Sequence, residues 1–515
     1  MFEFLRRNKL VKRGLASGKK RRRHLPNELA QRLEYAPYVK VLILAAFAAG
    51  LAALIFSGDQ PEPTKNFVVA LLFFAAAVIQ LSINQPRTFV RGSRVLLVFG
   101  VMFVQLAGTK AVLAVAESGT IEFLTPSVAA VVAPYAFAPL VLSVLLGRNH
   151  GLYAAVFVGL WTRLLFGNFD GPLLATAVIS GFVAVYLTLQ VRKRSRLIRA
   201  GFGVGLTIWL LSLAFGLIGP IDLFTPGNNN WQLLAIQSAL AIGNGILTAT
   251  IVGGMLPMIE QMFRITTDIS WLELSDLNHP LLRRMTIEAP GTYHHSLVVA
   301  NLAEAAAEAI GANGTLCRVC AYFHDVGKLV KPDYFTENMN YERNPHDDLA
   351  PSMSALIILA HVKEGVDLAL KHDLNRRIID IIQEHHGTSL VYYFYKRALQ
   401  QQEDARAGGK IMNMRAEDIP EVKEESFRYA GPKPQTKESA IISLADMVES
   451  ASRSLEKPTP QKIEQLVTDL IAQRVADKQL DESDLTLAEL NTIAERFRFT
   501  LMTMLHTRIA YPKQD

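Results

Sequence analysis

The sequence predicts an all-α protein in two parts, a polytopic helical membrane domain of about eight spans followed by an all-helical cytoplasmic domain. Three observations carry this. From Val41 to Met258 the chain is a succession of apolar stretches, each close to the ~20 residues that cross a bilayer as helix. From Glu260 onward it becomes charged sequence whose apolar residues recur at helical spacing. Nine of the twelve histidines lie between His279 and His386, several in doublets, inside that polar half.

Residues 1–40 form a basic segment with twelve Lys/Arg against three Glu, a larger positive excess than the +6 of all 515 residues. Such an excess marks the cytoplasmic side of a membrane protein. The adjoining apolar span accounts for it, so a nucleic-acid polymer is not an expected partner. A cleavable signal peptide is not expected, given the length of this segment and the lack of a small-residue cleavage site after Phe56.

The membrane domain is placed at 41–258, with spans near 41–57, 66–84, 94–116, 126–146, 150–166, 171–191, 200–218 and 232–258. Loop charges agree with an even count. Arg87, Arg91, Arg94, Arg148 and the run from Arg192 to Arg199 fall inside, whereas the loops at 117–125, 167–171 and 219–231 are acidic or neutral. The chain is thus expected to be multi-pass in the cell membrane, with both termini and the polar half cytoplasmic and the lipid bilayer as a partner. Lys110 and Arg163 fall inside spans; an ionisable group at that depth is either functional or snorkels to the surface.

Residues 259–285 read as a juxtamembrane connector, expected to be strongly helical, and 286–515 as the cytoplasmic domain. Its helices are expected at 297–310, 316–329, 352–370, 375–384, 439–455, 460–474 and 486–505, separated by Gly, Pro and Asn. The stretch 401–438 reads as either a flexible insert or an ordered loop over a site. Cys317 and Cys320 are the only cysteines. One C-x-x-C without a second pair makes no zinc site, so these are expected to be buried thiols, and no disulfide framework exists.

A single histidine on an apolar helix is usually a satisfied core residue. Here His324-Asp325 follow Ala-Tyr-Phe, His361 ends the apolar run 355–360, His385-His386 ends another helix, and Asp446 interrupts Ala-Ile-Ile-Ser-Leu-Ala. Burying such groups unpaired costs several kcal/mol. If consecutive helices carry them into one bundle, they make a metal site. Imidazole and carboxylate donors without thiolates suit divalent transition metals, Fe or Mn first, with Zn also fitting.

At these residues the chain resembles the HD-domain metal-dependent phosphohydrolases, through the order H…HD…H…HH…D. The carrying stretches are LNHPLLRRMTIEAPGTYHHSLVVANLAEAAAEAIGAN, HDVGKL, NPHDDLAPSMSALIILAHVKEGV, QEHHGTSLVYYFY and GPKPQTKESAIISLADMVESASRSL. It is similar, more narrowly, to membrane-anchored seven-transmembrane HD proteins, which hydrolyse cyclic di-AMP. The resemblance implies one metal on His295, His324, Asp325 and Asp446, and a second on His361, His385 and His386, with Asp325 bridging as the central catalytic residue. Two metals about 3.5–4 Å apart can activate water and hold it in line with a phosphodiester phosphorus. His294 is left as a substrate-facing neighbour. Lys328, a turn after His324, is expected to neutralise a phosphate oxygen, and Gly327 to let substrate approach the backbone. His346 is expected at the rim, touching substrate or structuring its loop. The family usually carries a large extracytoplasmic domain after its first span, but only Ser57–Lys65 stands there in this chain.

The expected function is therefore a membrane-bound phosphodiesterase converting cyclic di-AMP to 5′-pApA. The alternatives are hydrolysis of another cyclic dinucleotide or guanosine tetraphosphate, or a membrane sensor that binds nucleotide without turnover. A homo-oligomer is compatible with the sequence. The membrane part is expected either to pass a signal along the last span or to anchor the enzyme passively.

Overall fold

The structure is a computed structural model that describes residues 28–57, 62–121, 124–166, 171–189, 191, 193–218, 231–339, 344–409, 421–455 and 458–505. The basic run before residue 28, the tips of several loops and the end of the chain lie outside these. The chain divides into two compact units, Met1–Thr267 and Asp268–Asp515.

In the first unit α1 (Glu28–Tyr35) and α2 (Pro37–Phe56) are followed by α3 (Pro63–Asn84), α4 (Pro86–Phe89) and α5 (Gly92–Glu117). Next come α6 (Pro126–Val132), α7 (Phe137–Leu146), α8 (Arg148–Leu165), α9 (Gly171–Leu187), α10 (Arg194–Ala214) and α11 (Trp231–Phe263). Each of the eight expected spans is helical over most of its described residues, and one of them is interrupted. Six segments among the described residues are long and apolar enough to cross a membrane. The α9 helix has only 17 residues, or about 26 Å of rise. The α8 helix has 18 but begins Arg-Asn-His and ends near Thr162-Arg163.

The expected span 126–146 is broken between Val132 and Phe137. Pro134 has no N–H to give and biases Ala133 away from helical torsions. Two neighbouring helices satisfy the backbone freed there. Gln105 on α5 donates to Tyr135 O (2.9 Å) and accepts from Ala138 N (2.7 Å). Asn244 on α11 donates to Val131 O (3.3 Å) and Ala133 O (2.9 Å).

Gly201 and Gly205 on α10 face Gly245 on α11, where a Cβ on Gly245 would lie 2.3 Å from Gly201 O, so the two backbones touch as small-residue membrane packing allows. Lys110 and Arg163 are both buried rather than snorkelling, and Lys110 Nζ has no hydrogen-bond partner. The expected continuous helix out of the last span is interrupted. The α11 helix stops at Phe263, Arg264 takes a left-handed φ of 52°, and Glu260 caps the turn by accepting from Thr267 N.

The second unit is helical: α12 (Asp268–Leu274), α13 (Pro280–Glu288), α14 (Pro290–Ala309), α15 (Gly314–Phe323), α16 (Pro351–Lys371), α17 (Arg376–Glu384), α18 (Tyr392–Gly409), α19 (Lys437–Ser452), α20 (Pro460–Ala476) and α21 (Leu487–Leu505). Asn313, Asn375 and Thr436 cap α15, α17 and α19 by accepting from Leu316 N, Arg377 N and Ser439 N. The α14 helix lies at the centre against α15, α19 and α21. The core is built from Val299, Leu302, Phe323, Ile378, Ile382, Ile442 and Phe497. Trp271, Leu281, Leu282 and Met285, in the stretch read as connector, belong to it as well.

The helix expected over 316–329 ends at Phe323 and continues as a 3₁₀ turn, Val326–Val330. Of the stretch 401–438, residues 410–420 lie outside the description. Residues 421–438 are ordered, with Arg428 bridging to Leu390.

Candidate metal centre

Five elements converge. His295 comes from the middle of α14, His324 and Asp325 from the end of α15, His361 from α16, His385 and His386 from the end of α17, and Asp446 from α19. Seven donor residues form two groups, His295, His324, Asp325 and Asp446, and Asp325, His361, His385 and His386. In each group one donor atom per residue lies within 4.8 Å of all the others. The seven residues expected as metal ligands are thus brought together, with Asp325 common to both groups.

The close approach of α16 depends on Gly327, where a Cβ would stand 1.9 Å from His361 O. Gly327 therefore admits a protein backbone, not the substrate, which corrects the sequence reading.

The distances match a coordination polyhedron. Bonds of about 2.1 Å to a metal put neighbouring donors about 3.0 Å apart in an octahedron and about 3.4 Å apart in a tetrahedron. His295 Nε2 lies 3.0 Å from Asp446 Oδ1 and 3.4 Å from Asp325 Oδ2, and His324 Nε2 lies 3.2 Å from Asp325 Oδ2. On the other side His361 Nε2 is 3.3 Å from Asp325 Oδ1 and 3.4 Å from His385 Nε2. Each oxygen of Asp325 thus serves one group.

His295 Nε2, His324 Nε2 and Asp325 Oδ1 are buried without hydrogen-bond partners, despite these short separations. Donor atoms that crowd a common centre without bonding one another fit a cation, and the N/O set fits a divalent transition metal.

The outer ring nitrogens are held. His324, His361 and His385 each place Nδ1 against the carbonyl three residues back, Ala321 (2.7 Å), Ile358 (2.6 Å) and Ile382 (2.8 Å). His295 Nδ1 instead meets Glu449 Oε2.

Electrostatics differ between the groups. Burial opposes protonation of His324, but Asp325 and Asp446 outweigh it and raise its pKa to about 9. Burial, with His385 adding to it against Asp325, lowers His361 to about 4. His386 is likewise held well below the usual range by burial and His385. Burial would protonate Asp325, yet Lys328 and His324 hold it well below the usual carboxylate range. Asp325, Asp446, His361 and His386 therefore stand in their ligating forms at neutral pH.

Lys328 Nζ lies 2.8 Å from Asp325 Oδ2 and 2.7 Å from Glu337 Oε1. It sits in the 3₁₀ turn and not on a continuing helix face. His294 is exposed and belongs to neither group. His346 is buried, not at a rim. Its Nε2 meets Tyr334 O at 2.8 Å and its ring packs on Phe394, so of its two expected roles the loop-structuring one matches its surroundings.

Sequence reasoning missed three residues. Glu337 pairs with Lys328, Glu449 holds His295, and Tyr429 stacks on His386 with ring centroids 4.3 Å apart. Glu449 was findable as a second acidic residue one turn after Asp446 in an apolar helix. Cys317 and Cys320 are buried, and burial pushes both thiols up, as expected of inert thiols.

These helices and donors define a class: a multi-pass helical membrane protein joined to a helical domain of the HD type. Residues 64–267, which enclose the seven helical segments from α3 to α11 once α6 and α7 are counted as one span and the four-residue α4 is set aside, match the family described as a 7TM receptor with intracellular HD hydrolase. Residues 292–451 match the HD domain. The chain belongs to this family of seven-transmembrane HD proteins.

It is 35% identical over 462 residues to the cyclic-di-AMP phosphodiesterase PgpH of Listeria monocytogenes, covering 88% of this chain and 60% of the relative. It is 33% identical over 473 residues to that of Bacillus subtilis, covering 90% and 62%. The chain thus spans about three fifths of the length of these curated relatives. The crystal structure of the L. monocytogenes PgpH HD domain in complex with cyclic-di-AMP is 44% identical, covering 44% of this chain and 99% of that one, with a TM-score of 0.40.

Proposed function

We propose that this protein is a membrane-bound phosphodiesterase that hydrolyses cyclic di-AMP to 5′-pApA at a centre for two divalent metals, Fe or Mn. The observation that carries this is Asp325, whose Oδ2 faces His295 and His324 and whose Oδ1 faces His361 and His385, with Lys328 Nζ 2.8 Å from Oδ2. The similarity to two cyclic-di-AMP phosphodiesterases along most of the chain supports the choice of substrate. We place the HD unit and both termini in the cytoplasm from the loop charges.

When bound, the two ions would supply Lewis acidity toward the phosphodiester and favour water as nucleophile. The chain supplies the rest. Asp325 and Asp446 remain ionised and match the positive charge. The carbonyls behind His324, His361 and His385 keep each Nε2 turned inward. Lys328 has three donor protons and spends two on Asp325 and Glu337; the third is free for a non-bridging phosphate oxygen. In the reaction one P–O3′ bond breaks, water oxygen bonds to phosphorus, and the departing 3′-oxygen takes a proton, leaving a linear dinucleotide with a 5′-phosphate.

The test is turnover by the full chain in lipid with Mn or Fe, offered cyclic di-AMP, other cyclic dinucleotides and guanosine tetraphosphate. Release of 5′-pApA as the preferred product is expected. Preference for another substrate, or binding without turnover, would replace this reading.

A further inference from the structure

Every buried imidazole of the centre whose outer nitrogen is bonded uses a carbonyl of its own helix, except one. His295, on α14, donates its Nδ1–H to the Glu449 carboxylate on α19, 154 residues away in sequence. Glu449 is 3% exposed, and its other oxygen is taken by Arg453, with Nε at 2.6 Å and Nη2 at 2.5 Å. Both carboxylate oxygens are thus engaged, and the His295 ring stands between Glu449 and the donor cluster. Glu449 is therefore a support for a ligand and not a ligand.

An ionised acceptor makes a stronger hydrogen bond than a carbonyl does. It fixes the tautomer that leaves Nε2 as a lone pair, and it increases the donor strength of that nitrogen toward a cation. The same helix face carries Asp446 one turn earlier, so α19 provides one donor directly and orients a second. The group containing His295 also has two carboxylates, Asp325 and Asp446. The group containing His361 has three imidazoles and only the shared Asp325. The two positions are thus unlike in charge and in support.

We infer that Glu449, anchored by Arg453, is a positioning residue that makes the His295–His324–Asp446 position the tighter of the two metal positions. This rests on the two-metal reading above. Glu449→Gln keeps the shape and removes the charge.

The experiment is graded chelation of the full-length protein in lipid, loaded with Mn, counting metal per chain by elemental analysis. Wild type should release its ions in two steps, and the later step is the one that His324→Ala abolishes. In Glu449→Gln that later step should move to about 10- to 100-fold weaker chelation while the earlier step stays in place. Arg453→Gln, at the exposed residue that follows α19, should shift the same step less, and it serves as the second variant if Glu449→Gln does not fold.

If wild type holds fewer than two ions, the two-metal reading fails. If it holds two and the variants leave both steps unmoved, or move both equally, the role given to Glu449 fails while the two-metal reading stands.

Discussion

Gln105 and Asn244 in the membrane unit, and His295, His324 and Asp325 in the HD unit, are all within a tenth of full burial, but their polar atoms end differently. The first pair spends its amides on the backbone groups freed by the break at Ala133–Ala136. The second set leaves Nε2 of both histidines and Oδ1 of Asp325 without hydrogen bonds while pressing them to within 3.0–3.4 Å of other donors. Burial of polar groups is common to both regions. A satisfied cluster repairs a fold, whereas an unsatisfied, converging one is built for a ligand. In the membrane unit Lys110 Nζ, Thr162 Oγ1 and Ser212 Oγ are also buried without a hydrogen bond, but among the described residues no group of His, Cys, Asp or Glu donors converges there.

The largest effect expected is that of Asp325→Ala. Both donor groups lose their shared carboxylate, so elemental analysis should find no bound ions and hydrolysis should fall to background with helicity retained. Two ions per chain surviving this change would break the contrast drawn above. Gly327→Ala comes next. Its Cβ would collide with His361 O and push α16 away, and a displacement near 1 Å costs about 100-fold in rate. An unchanged kcat would mean that the approach of α16 does not set the centre.

Asn244→Leu should destabilise the membrane unit by about 1–3 kcal/mol, because two buried carbonyls lose their donor. Unfolding in detergent measures this, and metal content should not change. Loss of metal in that variant would show the two kinds of cluster to be less separate than described. Lys110→Met should raise the unfolding midpoint, since it removes a buried polar group without a hydrogen bond; a lowered midpoint would mean that Lys110 has a stabilising partner.

The smallest effect is on pH dependence of the metal-stripped protein. His324 is raised to about 9 from an ordinary 6.5, so its contribution is complete below 6.5 and lost as pH rises through 9. His361 is lowered to about 4, so protonation favours the unfolded chain and stability falls as pH drops from 6.5 through 4. Stability should therefore peak near pH 6.5, and metal loading should flatten the peak. A monotonic curve would contradict the opposite polarity of the two donor groups.

Much of this was legible in the sequence for a simple reason. Twenty apolar residues in a row, or His-Asp at the end of Ala-Tyr-Phe, have few physical solutions, so span positions, helix order and donor residues could be read locally. The break at Pro134 was visible as a proline, but the groups that repair it were not, because Gln105 and Asn244 lie 30 and more than 110 residues from the carbonyls they reach.

The same limit hid Glu449, Glu337 and Tyr429, and it misread Gly327 as a place for substrate and His346 as a rim residue. A local pattern specifies which side chains must escape the apolar core. Which atoms they then meet depends on how α14, α16, α17 and α19 close on one another, and that is settled by packing across the whole second unit. By itself the sequence determined the membrane segments, the helices and the residues able to hold a cation. Only the tertiary structure decided that Asp325 shares its oxygens between two groups and that His295 leans on a carboxylate while its neighbours lean on their own helices.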